Sequence, residues 1–197
     1  MIQYKGQNIV VSSNIEYTNT LTVGHCSIIG GTDTDCPVKI GENLIVGAFS
    51  IIEPGVQIGS NCEISHNCIV YTNVVIGDNV KILDGSRIYS NTIIGNGSII
   101  NGGVSERTII GENVRFFGRI AHSHRNHTLD WDNTNEPSPV FKTGSFIGIN
   151  ALIIGNICIG QNSYIAAGEI VRFNIPDNMV FYKGKLFNKE RFREFIV

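Results

Sequence analysis

Residues 40–105 read IGENLIVGAFSIIEPGVQIGSNCEISHNCIVYTNVVIGDNVKILDGSRIYSNTIIGNGSIINGGVS. An aliphatic residue returns here at every sixth position: Ile40, Val46, Ile52, Ile58, Ile64, Val70, Ile76, Ile82, Ile88, Ile94 and Ile100. Four residues after each stands a small or medium side chain: Leu44, Ser50, Val56, Cys62, Cys68, Val74, Val80, Ser86, Thr92, Ser98 and Val104. A period of eighteen overlies the first, because Gly41, Gly59, Gly77 and Gly95 each follow an isoleucine, and the first three continue as Gly-x-Asn through Asn43, Asn61 and Asn79. An α-helix needs a period of about 3.6 to keep one stripe, whereas a period of six suits a short strand of alternating residues closed by a corner. Gly and Asn adopt positive φ at least cost, so they supply the corners. Three strands and three corners predict a triangular coil, and stacked coils pair in parallel about 4.8 Å apart around an apolar column.

Outward from this run, hexads also start at Val11, Tyr17, Val23 and Ile29. Eleven positions then separate Ile29 from Ile40, so residues 30–37 are expected as a loop pushed out at a corner, carrying Asp33 and Asp35. Ile94 and Ile110 are sixteen apart where eighteen is expected, which predicts one coil tightened around residues 106–108. Phe116 follows, and the next start would be His122, an inward position. Regular spacing resumes only at Phe141, and continues through Ile147, Ile153, Ile159, Ile165 and Val171. Thirteen extra residues are therefore expected to leave the column as a loop at 122–140. The count of starts predicts seven to eight coils, forming one domain over residues 1–185. Residues 186–197, with Phe187, Phe192, Phe195 and Ile196 among basic residues, predict a short amphipathic helix that caps the open edge.

Composition fits a single domain rich in turns: 197 residues, 42% hydrophobic, with 22 glycines. A net charge of −2 argues against a nucleic-acid binder held by bulk electrostatics. The N-terminus lacks the apolar core of a signal peptide, and no apolar run reaches the eighteen or so residues of a membrane span, so a cytoplasmic location is expected. Cys62 and Cys68 take small inward positions, and Cys26, Cys36 and Cys158 show no metal-ligand spacing.

The hexads and Gly-x-Asn corners resemble the hexapeptide-repeat acyltransferase superfamily, an all-β fold of left-handed parallel β-helices. The left-handed sense is implied by that resemblance alone. Residues 121–139, Ala-His-Ser-His-Arg-Asn-His-Thr-Leu-Asp-Trp-Asp-Asn-Thr-Asn-Glu-Pro-Ser-Pro, hold three of the five histidines and the sole tryptophan. Long loops on rigid scaffolds carry function, and imidazole titrates close to neutral pH, which suits a general base. The segment Asn126-His127-Thr128-Leu129-Asp130 is similar to the Asn-His-x-x-Asp stretch of the xenobiotic and related sugar acetyltransferases, and counting hexads from Ile110 puts His127 where the maltose acetyltransferase branch carries its histidine. The resemblance implies acetyl-CoA-dependent transfer to a hydroxyl or amine, with His127 as the first choice of base. His124 is the second choice, and His122 the third. The chain's size and its polar loop with one tryptophan fit a sugar or nucleotide-linked amino sugar as acceptor, with an antibiotic, a serine-like amino acid or a free sugar as alternatives.

Asp130, Asp132 and Glu136 are candidates to orient the base, and Asp130 and Trp131 to meet the acceptor. Asn150, Ala151, Ala166, Ala167 and Gly168 follow the family's coenzyme A pattern, with Lys183 and Lys185 placed for nucleotide phosphates. The family's closing Gly-x-Pro is here Gly184-Lys185-Leu186. The resemblance further implies a homotrimer with sites between neighbouring columns; the size and polar loop fit a role in surface polysaccharide synthesis, and no metal is expected. Two rivals share the fold: a γ-type carbonic anhydrase, which would use the His122-x4-His127 spacing for zinc, and a non-catalytic assembly subunit.

Overall fold

The computed structural model describes residues 1–31, 36–123 and 137–192. Each hexad becomes a strand of two to four residues, and the strands stack into three sheets that the chain visits in turn. Sheet A runs from Ile2–Lys5 to Lys185–Asn188 with eleven strands. Sheet B runs from Val10–Val11 to Ile170–Val171 with nine, and sheet C from Ile15–Tyr17 to Cys158–Ile159 with eight. Pairing is parallel, in the register the period of eighteen demands: Ile64 beside Ile82, Val70 beside Ile88, Ile76 beside Ile94. Among the described residues, only the final pair is antiparallel, Met179–Tyr182 against Lys185–Asn188. The result is the expected parallel β-helix.

The hexad starts form the column. From Ile40 to Ile100 they are at most 4% exposed, and the largest buried side chains, Phe116 and Phe141, meet edge to face with ring centroids 5.2 Å apart. Small polar residues fit beside them because their hydroxyls serve the backbone of neighbouring coils. The hydroxyl of Ser98 donates to the carbonyl of Gly111 and accepts from the Val114 amide (2.9 and 3.0 Å). Asn43, Asn61 and Asn79 all take φ of 57°, as the corners require. At Gly59 the need is for space, since a Cβ there would lie 2.7 Å from the Gly77 carbonyl carbon of the next coil.

Cys62 and Cys68 face inward as expected, 3% and 0% exposed, their thiols directed at the carbonyls of Gly77 and Leu83. Burial pushes both thiols above the ordinary pKa of about 9.0, so both are held as neutral S–H. Thiol titration of the native protein is expected to label exposed Cys36 first and to reach Cys62 and Cys68 only after denaturant is added. Prompt labelling of either buried thiol in native buffer would contradict this interior.

Three expectations are corrected. The coil count is nine, because Ile2–Lys5 and Met179–Tyr182 also stack on sheet A. At the C-terminus the helix starts at Lys189, later than expected. Leu186 and Phe187 belong instead to the strand Lys185–Asn188, because the turn at Lys183 and Gly184 returns the chain along sheet A, and the helix Lys189–Phe192 follows. Residues 193–197 of the expected helix lie outside the described residues.

The third correction concerns register. Val104 pairs with Ile88 and is itself a hexad start, so the two missing residues are at the corner formed by Asn101 and Gly102, not at 106–108. A second short corner, Phe117 and Gly118, makes Ile120 the next start, opposite Ile153. His122 is consequently a half-buried corner residue outside the column, and the loop carries fifteen extra residues. Gly102 permits this geometry: its φ is 128°, and a Cβ there would lie 2.3 Å from the Gly118 carbonyl oxygen directly above.

Candidate active site

The corners joining sheet A to sheet B rise along one edge of the prism. Asn150 sits in the corner between Phe146–Ile147 and Leu152–Ile154, with its amide donating to the Phe117 carbonyl of the coil below (3.2 Å). Ala167 and Gly168 lie one coil further on, the Gly168 amide donating to the Ile149 carbonyl (2.9 Å). Lys183 follows in the turn after Met179–Tyr182. Glu169 fixes that turn, its carboxylate accepting from the amides of Lys183 and Gly184 (2.5 and 3.2 Å). The Lys183 ammonium lies 5.1 Å from the Tyr182 ring centre, and Lys185 is exposed on the returning strand.

These residues offer a ledge that suits an extended ligand. Asn150, Ala167 and Gly168 are exposed, and a Cβ at Gly168 would meet nothing within 4 Å, so the backbone is approachable. Ala151 and Ala166 differ from their companions: they are 0% and 6% exposed, Ala151 packed in the column and Ala166 covered at the corner after Ile165. A coenzyme could reach these two only through their backbone or their neighbours.

The histidine loop belongs to the other edge of sheet B. Its outgoing root follows Arg119–Ala121, where the Ala121 carbonyl accepts from the Gly155 amide (2.9 Å) and Ser123 packs over Gly155. Its return is tied by the Ser138 hydroxyl donating to the Glu106 carbonyl, and by the Pro139 carbonyl accepting from the Ile109 amide (3.3 Å). His124, His127, Asp130, Trp131, Asp132 and Glu136 lie outside the described residues, as do Asp33 and Asp35 of the other loop. The outer face of sheet B thus lies between this ledge and the roots of the loop that carries the histidines.

That face contains residues the linear pattern did not single out. Arg87, Gly103 and Arg119 stand side by side in one outward column. Tyr71 and Tyr89 stack beside it with centroids 4.8 Å apart and planes at 7°. Along the chain they carry no signal, because they are sixteen to eighteen residues apart and occupy hexad positions open to any side chain. Reading down the column, rather than along the chain, would have found them.

Among the described residues, no group of three His, Cys, Asp or Glu side chains is placed to hold a metal ion. In the corrected register, the place two coils below His122 is held by Ser90, which is a poor zinc ligand. Two open grooves, of about 620 and 500 Å³, flank the N-terminal coils. Among the described residues, none of the candidate site residues lines either groove.

The family model described as bacterial transferase hexapeptide (six repeats) matches residues 37–72 and 73–105. Residues 37–105 thus carry the hexapeptide repeat that this model describes. The chain is 32% identical over 66 residues to the bifunctional protein GlmU of Oceanobacillus iheyensis, an alignment covering 33% of this chain and 14% of that protein. Against the GlmU of Staphylococcus epidermidis it is 29% identical over 152 residues, covering 77% of this chain and 28% of the relative. The match thus spans only a small part of these relatives' length.

Among solved structures it resembles the Arabidopsis UDP-N-acetylglucosamine acyltransferase, with a TM-score of 0.46 and 15% identity over 99% of this chain and 73% of that one. It also resembles the N-acyltransferase AntD from Bacillus cereus, solved with dTDP and coenzyme A, with a TM-score of 0.41 and 16% identity over 98% of this chain and 87% of that one. Among the described residues, no helix is long and apolar enough to cross a membrane.

Proposed function

We propose that this chain is an acetyl-CoA-dependent acetyltransferase acting on a hydroxyl or amine of a sugar or nucleotide-linked amino sugar. One observation carries the reading: the coenzyme-type ledge of Asn150, Ala167, Gly168 and Lys183 borders the same sheet face whose far edge gives rise to the histidine loop. Ligand and base would then approach one another across sheet B. Acetyl-CoA supplies the activated acetyl thioester. Along the ledge, exposed backbone at Ala167 and Gly168 would receive the extended arm, and the ammonium groups of Lys183 and Lys185 would meet its phosphates. His127 takes the proton from the acceptor's hydroxyl or amine as that oxygen or nitrogen becomes the nucleophile, and returns it to the departing thiolate. A homotrimer, a cytoplasmic setting and a place in surface polysaccharide synthesis belong to the same proposal.

Thermal unfolding with acetyl-CoA, read beside free CoA, tests the first half of this reading. A ligand at 100 times its dissociation constant should stabilise the protein by about 2.7 kcal/mol. Thiol release from acetyl-CoA in the presence of amino sugars then tests transfer. No shift with either ligand at millimolar concentration would refute the proposal.

A further inference from the structure

The two short corners do more than reset the register. They shorten the ledge by two residues in each of two successive coils, at 101–102 and 117–118, and so cut a notch between the full corners at 83–86 and 148–151. Beside the notch lies the column of Arg87, Gly103 and Arg119. Two strand spacings put the arginine backbones about 9.6 Å apart, close enough for both long side chains to meet one ligand. Both are exposed. Lys39, Lys81, Arg107 and Lys142 each face a carboxylate within 4 Å, whereas among the described residues neither Arg87 nor Arg119 does.

Gly103 has no evident structural reason to be glycine. Its backbone is not left-handed, and a Cβ there would meet nothing within 4 Å. Its effect is to leave no side chain between the two arginines in the column. Tyr89 stands two residues along the same strand face from Arg87, 41% exposed and backed by the stacked ring of Tyr71. Such an aromatic wall suits the apolar face of a sugar ring.

We propose that Arg87 and Arg119, facing each other across Gly103, seat an anionic group of the acceptor, a phosphate or a carboxylate, with Tyr89 against its ring. The planar guanidinium fork matches either anion in two-pronged fashion. The proposal rests on the reading of sheet B as the transfer face, and it narrows the acceptor to an acidic sugar.

Calorimetric titration of the full chain with glucosamine 6-phosphate, N-acetylneuraminic acid and neutral N-acetylglucosamine tests it. At least one acidic sugar should bind tenfold or more tightly than the neutral one, and the preference should fade with added salt. Preference for the phosphate or for the carboxylate identifies the source of the anion, and either supports the seat. Arg87→Gln and Arg119→Gln should each weaken that binding about tenfold or more, with the lysine variants intermediate. Gly103→Leu should abolish it while leaving the unfolding midpoint in place.

Failure of both acidic sugars to bind, equal binding of neutral and acidic sugars, or unchanged affinity in the variants would overturn the proposal. A loss of acetyl-CoA affinity in place of sugar affinity would also overturn it. Binding that follows this pattern without any acetyl transfer would remove the acetyltransferase reading and leave the anion seat standing.

Discussion

His127→Ala should lower the turnover number for acetyl transfer about 10²–10⁴-fold while leaving the affinity for acetyl-CoA unchanged. The size follows from what a general base contributes. Without it, the acceptor must attack as a neutral hydroxyl or amine and lose its proton to water, a step that coenzyme binding does not touch. The split between turnover and affinity is therefore diagnostic. Steady-state kinetics supply the first quantity and the ligand-induced shift in unfolding temperature the second. An active His127→Ala protein would reject this residue, and a matching loss in His124→Ala would transfer the role. His122→Ala makes a useful comparison, because His122 sits at the half-buried root of the loop, where a structural role predicts a changed unfolding midpoint and nearly unchanged turnover.

Gly102→Val should be among the most damaging single substitutions in the column. Two penalties coincide there. The backbone at φ 128° disfavours any side chain, and a β-branched one most of all. The added carbon would also lie 2.3 Å from a carbonyl oxygen of the next coil, an atom that cannot move without shifting Gly118. Together the strain and the overpacking amount to about 3 kcal/mol or more. In a chain of this size each kcal/mol moves the midpoint by roughly 2–4 °C, so a fall of roughly 6–12 °C is expected in a thermal melt. Gly103→Ala, one residue away but in open space, should leave the midpoint nearly unchanged. Equal tolerance at the two positions would mean that the corner is not as tight as described.

The contrast between these neighbouring glycines marks where a linear reading stops. Val104 fits the hexad pattern both as the small residue four after Ile100 and as a start in its own right, since either choice turns it inward. Periodicity cannot separate the two. The neighbouring coils do, because Val104 must lie beside Ile88. The slip carried through to His122, which the count placed in the column and the structure places at a corner. The terminal hairpin was hidden for a similar reason. Phe187 and Phe192 mark an apolar face on a helix or a strand alike, and the turn at Lys183 and Gly184 decides between them.

By itself the sequence determined the coil: an inward aliphatic residue every six positions, with Asn and Gly where the chain must turn. These preferences are local, so each hexad states them unaided. Only the tertiary structure decided which outward residues become neighbours. Arg87, Gly103 and Arg119 are sixteen apart in sequence and adjacent in space, because two tight corners each remove two residues from a coil of eighteen. Outward positions carry no packing constraint that would reveal them along the chain, so their chemistry becomes visible only once the coils are stacked.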